Sequence, residues 1–320
     1  MNLKAGIAAS LSPAEPSQPP VQRERDGQWL LIAGGVLLGT IGVFVEEAGQ
    51  HPLVTVWFRC AFGALALLAW CLATGRGREL LLSGRTRWVA CATGVLMVFN
   101  WALFFAAIPR TSIAVATVIF HIQPIWVIVF GALFLREAVS PTQWLATLAA
   151  LGGLVLTTGL LDGTAAAAAA SSSGGGGGYM AGVLMCLGGS LCYAGVTLLA
   201  NTQKAISPFA MALWQCLVGA VALVWAPFVL GWPQQGAAWA WLLGLGVVHT
   251  GLAYVVLFAG MARLALGRIA VLQFVYPLTA VLVDWAVYGR TLSAVQLAGV
   301  GLMAAALWTI RRPQLSAKQA

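Results

Sequence analysis

The sequence is short of charge. Only 8% of its 320 residues are Asp, Glu, Lys or Arg, and just nine are acidic. A soluble domain carries about a quarter charged residues to solvate its surface, so a soluble fold is excluded. Histidine occurs three times. Neither His-Glu-x-x-His nor Gly-x-Ser-x-Gly is present, so zinc-protease and serine-hydrolase chemistry lack their signatures. No two carboxylates share the middle of an apolar run, which removes paired acid–base chemistry as well. Cys60, Cys71, Cys91, Cys186, Cys192 and Cys216 all lie inside apolar runs and form no Cys-x-x-Cys pair. They read as small buried hydrophobes, neither disulfides nor metal ligands. No enzyme, cofactor or metal is expected. A net charge of +8 suggests nucleic acid elsewhere, but here the basic residues sit between apolar runs, where they set membrane orientation. No nucleic-acid partner is expected.

What is present in excess is apolar sequence, 60% of the chain. Runs near twenty residues recur throughout, the length that crosses hydrocarbon at about 1.5 Å per residue. They are apolar nearly all round, so the lipid bilayer is their partner. The expected fold is an all-α polytopic membrane protein with ten transmembrane helices in two inverted five-helix repeats. The spans are expected near Trp29–Val45, Pro52–Ala73, Trp88–Ile108, Ser112–Leu135 and Gln143–Leu161, then Tyr179–Ala200, Pro208–Leu230, Ala237–Ala262, Ile269–Tyr288 and Ala294–Ile310. Residues 1–26 read as a disordered cytoplasmic tail, 27–161 as the first repeat and 162–178 as a flexible Ala/Ser/Gly linker. Residues 179–312 read as the second repeat and 313–320 as a second cytoplasmic tail.

The duplication rests on spacing. His121–Trp144 holds an apolar helix with Pro124 near its middle, a charged pair, and a restart after Ser140. Phe274–Leu297 repeats that plan 153 positions later, with Pro277 on Pro124, Ser293 on Ser140 and Gln296 on Gln143. The stretches from Pro52 and Pro208 also pair, sharing proline, cysteine and glycine positions and putting Arg59 on Gln215. With ten spans and a cytoplasmic N-terminus, fourteen of the seventeen Lys and Arg residues fall inside, leaving Arg110 and Arg290 outside and Arg59 within a span. That bias puts both termini in the cytoplasm. An odd span number per repeat makes the second copy enter from the opposite side, an architecture typical of secondary transporters.

The run Phe134-Leu135-Arg136-Glu137-Ala138-Val139-Ser140, with Pro124 before it and Gln143 after it, resembles the EamA-type transporters of the drug/metabolite transporter superfamily. The resemblance covers nearly all of Trp29 to Arg312. It implies a multi-pass protein of the plasma membrane, in bacteria the inner membrane, from a family that includes exporters of amino acids and other small metabolites. The second copy departs from the pattern, with Arg290 where the first has Glu137.

A transporter needs polar groups in a protein-lined cavity near mid-membrane, because lipid cannot hydrate them. The substrate-binding candidates are Asn100, Trp101, His121, Gln123, Tyr193, His249, Gln273 and Tyr276. Thr117, Ser190, Thr197, Thr250 and Tyr254 lie at similar depth. Each also has a plainer reading, as glue between two helices. Arg59 and Asp284 are candidates for charge or coupling. Arg59 lies roughly 10 Å into its span, from where it either lines the cavity or snorkels to the outer interface. Asp284 either faces the cavity or stands at the rim. Pro124 and Pro277 are expected to kink spans four and nine. On span nine, Gln273, Pro277, Ala280 and Asp284 share a stripe about 60° wide, with Tyr276 at its edge. This mix suits a neutral or zwitterionic small-molecule substrate such as an amino acid, exported by alternating access, with protons as a candidate coupling ion. The alternatives are a carrier of sugar-phosphate or nucleotide-sugar type, or a membrane protein without transport activity.

Overall fold

Prolines and serines open most of the helices. The structure, a computed structural model, describes residues 19–159, 176–234, 236–289 and 291–310. The first half holds α1 (Pro20–Gly39), α2 (Ile41–Ala48), α3 (Pro52–Ala73), α4 (Gly84–Ala107), α5 (Ile113–Phe120), α6 (Gln123–Phe134) and α7 (Pro141–Thr157). The second holds α8 (Gly176–Thr202), α9 (Pro208–Ala222), α10 (Ala226–Leu230), α11 (Gly236–Gly244), a π-helical turn at Leu245–Leu252, and α12 (Ala253–Met261). It ends with α13 (Leu266–Leu272), α14 (Val275–Tyr288) and α15 (Ala294–Thr309). Pro20, Pro52, Pro141 and Pro208 stand in first turns, where a missing N–H removes no helical hydrogen bond. The matched Ser140/Gln143 and Ser293/Gln296 pairs are both capping boxes, each satisfying orphan backbone donors reciprocally.

Among the described residues, seven helical stretches are long and apolar enough to cross a membrane. They are Pro20–Ala48, Pro52–Ala73, Gly84–Arg110, Ala114–Phe134, Gly178–Thr202, Gly236–Met261 and Leu266–Tyr288. The chain is thus an all-α polytopic membrane protein. The other expected spans, five, seven and ten, form the shorter helices α7, α9 and α15 of 17, 15 and 16 residues. Span seven is shortened because α9 stops at Ala222 and resumes as α10 across Pro227.

The first helix begins earlier than the sequence suggests. Residues 20–26, expected within a disordered tail, are its first two turns. Long-range bonds hold them: Glu24 pairs with Arg268 at 2.6 Å, and Arg23 donates to the Ala262 carbonyl at 3.4 Å. Likewise Gly176–Gly178, expected at the end of the linker, already belong to α8. The rest of the linker and tails, residues 1–18, 162–175 and 313–320, lies outside the described residues, as does Arg290.

Small residues set the close crossings. A methyl group on Gly35 would lie 2.9 Å from Val275 Cβ, so α1 rides directly on α14 as Gly35-x-x-x-Gly39 foretells. In the α7–α15 crossing a methyl on Gly153 would lie 2.7 Å from the Gly299 carbonyl oxygen, and one on Gly299 would meet the Gly153 carbonyl. Gln296, in the first turn of α15, donates to the carbonyl of Thr157 at the last turn of α7, so these helices run antiparallel. The α3–α9 crossing is reciprocal too: Cys60 faces Gly219 and Cys216 faces Gly63.

Candidate functional site

Spans four and nine are interrupted at matching places. Helix α5 stops at Phe120 and α6 starts at Gln123, while α13 stops at Leu272 and α14 starts at Val275. Pro124 and Pro277 follow the breaks and have no N–H to give the carbonyls of Phe120 and Gln273. At these breaks the side chains of the two spans meet. Gln123 Nε2 donates to Gln273 Oε1 at 2.9 Å. Both amides also reach Thr197 Oγ1 on α8, at 3.4 Å from Gln123 and 3.2 Å from Gln273. His121, at the break, stacks on Tyr276 with ring centroids 5.7 Å apart, and its Nδ1 bonds the Thr117 carbonyl at 2.7 Å. A carbonyl only accepts, so Nδ1 carries a proton and is the donor of that bond. Phe120 stacks on Tyr193 at 6.1 Å.

Beside this group lies Arg59, only 6% exposed. It does not snorkel. Its Nε donates to Thr250 Oγ1 at 3.0 Å and its Nη2 to Tyr254 Oη at 3.4 Å. The guanidinium lies 4.9 Å from the ring centre of Trp101 and 6.0 Å from that of Tyr254, in cation–π range. Tyr276 is within electrostatic reach of Arg59, and Tyr193 of Tyr254 and Tyr276. The π turn holds Thr250 in place, its hydroxyl donating to the Leu245 carbonyl five residues back at 2.9 Å. Helix α3 comes close enough because a methyl on Gly246 would already lie 2.9 Å from the Gly63 nitrogen. Among the described residues no carboxylate forms an ion pair with Arg59.

The structure therefore gathers Trp101, His121, Gln123, Tyr193, Gln273, Tyr276 and Arg59 into one cluster fed by both halves. Three other candidates stand apart. Asn100 donates to the Gly189 carbonyl at 2.9 Å, in the seam between α4 and α8. His249 is fully buried at the α1–α2 bend, with Nε2 2.8 Å from Thr40 Oγ1 and its ring 4.4 Å from that of Phe44. The Thr40 hydroxyl already donates to the Leu37 carbonyl, so His249 is the donor of that pair. Asp284 is half-buried near the far end of α14, within reach of Tyr288 beside Glu46 and Glu47, and does not pair with Arg59. On the opposite face of α14, Val275 is buried against Gly35 and Trp285 is 54% exposed.

Thr250 and Tyr254 join Arg59 although spacing alone does not put them there, because a π turn inserts an extra residue and rotates every position after it. Two anchors also escape periodicity. Asn201 caps α12 through the carbonyls of Met261 and Leu264, at 2.7 and 2.9 Å. Glu137 accepts the Leu266 N–H at the start of α13, at 3.1 Å.

Stacked apolar helices around a polar, aromatic centre with interrupted spans define a membrane transporter for small solutes. The sequence model of the EamA-like transporter family matches twice, over residues 26–159 and 180–312, and the chain belongs to that family, part of the drug/metabolite transporter superfamily. Its members are transporters and not enzymes. Among the described residues no group of three His, Cys, Asp or Glu is placed to hold a metal. An uncharacterized transporter of Archaeoglobus fulgidus is 29% identical over 286 residues, 88% of this chain and 94% of that one. The uncharacterized transporter YxxF of Bacillus subtilis is 26% identical over 88% of this chain and 89% of its own length. The pseudopaline exporter CntI of Pseudomonas aeruginosa is 25% identical over 68% of this chain and 75% of its own. A crystal structure superposes with a TM-score of 0.76 over 89% of this chain and 99% of that one; at 18% identity the likeness is one of fold.

Proposed function

We propose that this secondary transporter exports a small zwitterionic metabolite, an amino acid or a close relative, by alternating access through a ten-span inverted repeat with both termini cytoplasmic. The observation that carries the reading is the cluster of Arg59, Trp101, His121, Gln123, Tyr193, Gln273 and Tyr276, drawn from both halves at two interrupted spans. Broken spans are where transporters bind solute, because unwound backbone is tolerated only beside a protein-lined cavity. The antiparallel α7–α15 pair and the reciprocal glycine crossings favour halves related by an axis in the membrane plane. An axis along the membrane normal would make a self-paired crossing parallel. Export as the direction draws on the likeness to an exporter of pseudopaline. A sugar-phosphate or nucleotide-sugar carrier is less well supported, since a phosphate calls for several cations. In the described cluster only Arg59 is cationic, and the other buried arginine of the spans, Arg268, is engaged by Glu24.

The test is an untargeted comparison of solutes released into the medium by cells with and without overexpression of the chain. A zwitterionic solute enriched by expression and lost with Gln273→Leu is the expected result. Enrichment that Gln273→Leu, Tyr276→Ala and Arg59→Gln all leave unchanged would remove this cluster from the path.

A further inference from the structure

We propose that Arg59 and its surrounding hydroxyls form the subsite for a carboxylate group of the transported solute. This deepens the export reading above and rests on it.

A guanidinium buried in a membrane protein without a counter-charge is costly, and such groups persist where a ligand or a partner completes them. Arg59 offers five N–H donors in a planar fork. Thr250 and Tyr254 take one each, so both protons of Nη1 and one of Nη2 have no acceptor among the described residues. The surroundings repeat that bias. Tyr254 accepts from Arg59 and keeps its own hydroxyl proton to give. The Trp101 indole lies against the guanidinium and its N–H makes no hydrogen bond with a described residue. The hydroxyls of Tyr193 and Tyr276, both in the same electrostatic group, have no hydrogen-bond partner there either. The groups within contact or electrostatic reach of Arg59, from α3, α4, α9, the π turn, α12 and α14, are Cys60, Trp101, Cys216, His249, Thr250, Tyr254 and Tyr276. Acidic residues are missing from that set. The cluster supplies several donors and one positive charge and lacks an anionic acceptor.

The missing acceptor is a carboxylate by size and charge. One guanidinium fork matches the two oxygens of one carboxylate, bidentate and planar. A dianionic phosphate would leave one negative charge uncompensated in a low-dielectric interior. The Trp101 ring lies 4.9 Å from the guanidinium carbon, and the remaining Nη protons, which lie in the guanidinium plane, are the ones left for an incoming anion. The matching position of the second half carries Gln215, fully buried, whose amide has no hydrogen-bond partner among the described residues. The carboxylate end of the solute is thereby assigned to the first half.

The test uses the full chain purified in detergent, with thermal unfolding as readout and two probe sets, the twenty L-amino acids and their C-terminal amides. Amide formation removes the carboxylate charge and keeps the side chain. The expected result is that at least one amino acid raises the midpoint of the wild type while its amide binds about tenfold or more weakly, the factor expected for losing charge-assisted hydrogen bonds. Arg59→Gln should abolish the preference for acid over amide. That variant makes positions 59 and 215 alike and removes a buried charge, so it is expected to fold. Arg59→Lys should retain part of the preference, with charge but no fork. An amide as effective as its acid, an acid preference that survives Arg59→Gln, equal stabilisation by chloride at the same concentration, or a panel in which no amino acid stabilises the wild type would each overturn the inference. The medium comparison separates the two readings. Release of a solute that lacks a carboxylate keeps the transport reading and rejects the subsite. Expression that changes no released solute rejects transport itself.

Discussion

Glu137 works across the boundary between the halves. Ala265, at the N-cap of α13, has no side chain with which to bond the first turn, whereas Ser112 caps α5 through the Val115 N–H at 3.2 Å. Span nine borrows its cap instead: Glu137 accepts the Leu266 N–H from a position 129 residues away. Arg136 directs it, taking a left-handed backbone (φ 53°) that ends α6 and turns the chain, while the Glu137 N–H returns to the Gly131 carbonyl. A carboxylate at a helix N-terminus also meets the positive end of the helix dipole. Glu137→Ala should therefore lower stability by about 1 kcal/mol, the usual worth of an N-cap. The unfolding midpoint in detergent measures it, and an unchanged midpoint would show that the bond contributes nothing. The same contact explains why the second copy need not carry a glutamate at position 290, since span four has its own serine cap. None of this is visible in periodicity. The serine and glutamine pairs of the capping boxes are legible because cap and partner lie three residues apart, while Glu137 and Leu266 are linked only by the fold.

At the scale of the element, the interrupted spans were legible and the π turn was not. Pro124 and Pro277 lack an N–H wherever they stand, so the break follows from covalent structure, and the shared face of Gln273, Tyr276 and Pro277 follows from helical geometry. The turn at Leu245–Leu252 departs from 3.6 residues per turn, and no residue type announces that departure. Span nine gives a direct test of face. Cysteine placed at 273, 280 or 284 in a cysteine-free background should react with a hydrophilic thiol reagent, and cysteine at 275 or 281 should not. Equal labelling of both faces would remove span nine from the solute path. The crossing of α7 and α15 gives a second test. Gly299→Leu puts a side chain into the Gly153 carbonyl and should destabilise by about 1–3 kcal/mol or more, the range for overpacking. Gly301→Leu, on a face with nothing within 4 Å, serves as its control. A Gly299→Leu variant as stable as that control would mean that the helices separate freely.

The whole molecule is built from contacts that its two halves return to each other. The family model matches each half separately, and two crossings join one half to the other, α7–α15 through facing glycines and α3–α9 through glycines that face cysteines. On the inverted reading, reporter fusions after Ala200 and after Arg312 should both report a cytoplasmic position; a periplasmic report at either would reject it. The all-α, polytopic character was legible from length and composition, since an apolar run near twenty residues has few other uses. The early start of α1 was not, because it depends on Glu24 finding Arg268 across the bundle. The pairing of Arg59 with Gln215 at matched positions has a further consequence. In an inverted repeat with identical halves, inward-facing and outward-facing forms would exchange the roles of the halves and be equal in energy. One buried cation in the first half and a neutral amide in the second lift that degeneracy. A gap of 1.4 kcal/mol already makes one form tenfold more populated. On the proposed inverted-repeat, alternating-access reading, the vacant protein is expected to rest with its gate toward one side, and Arg59→Gln should bring the two resting populations closer to even.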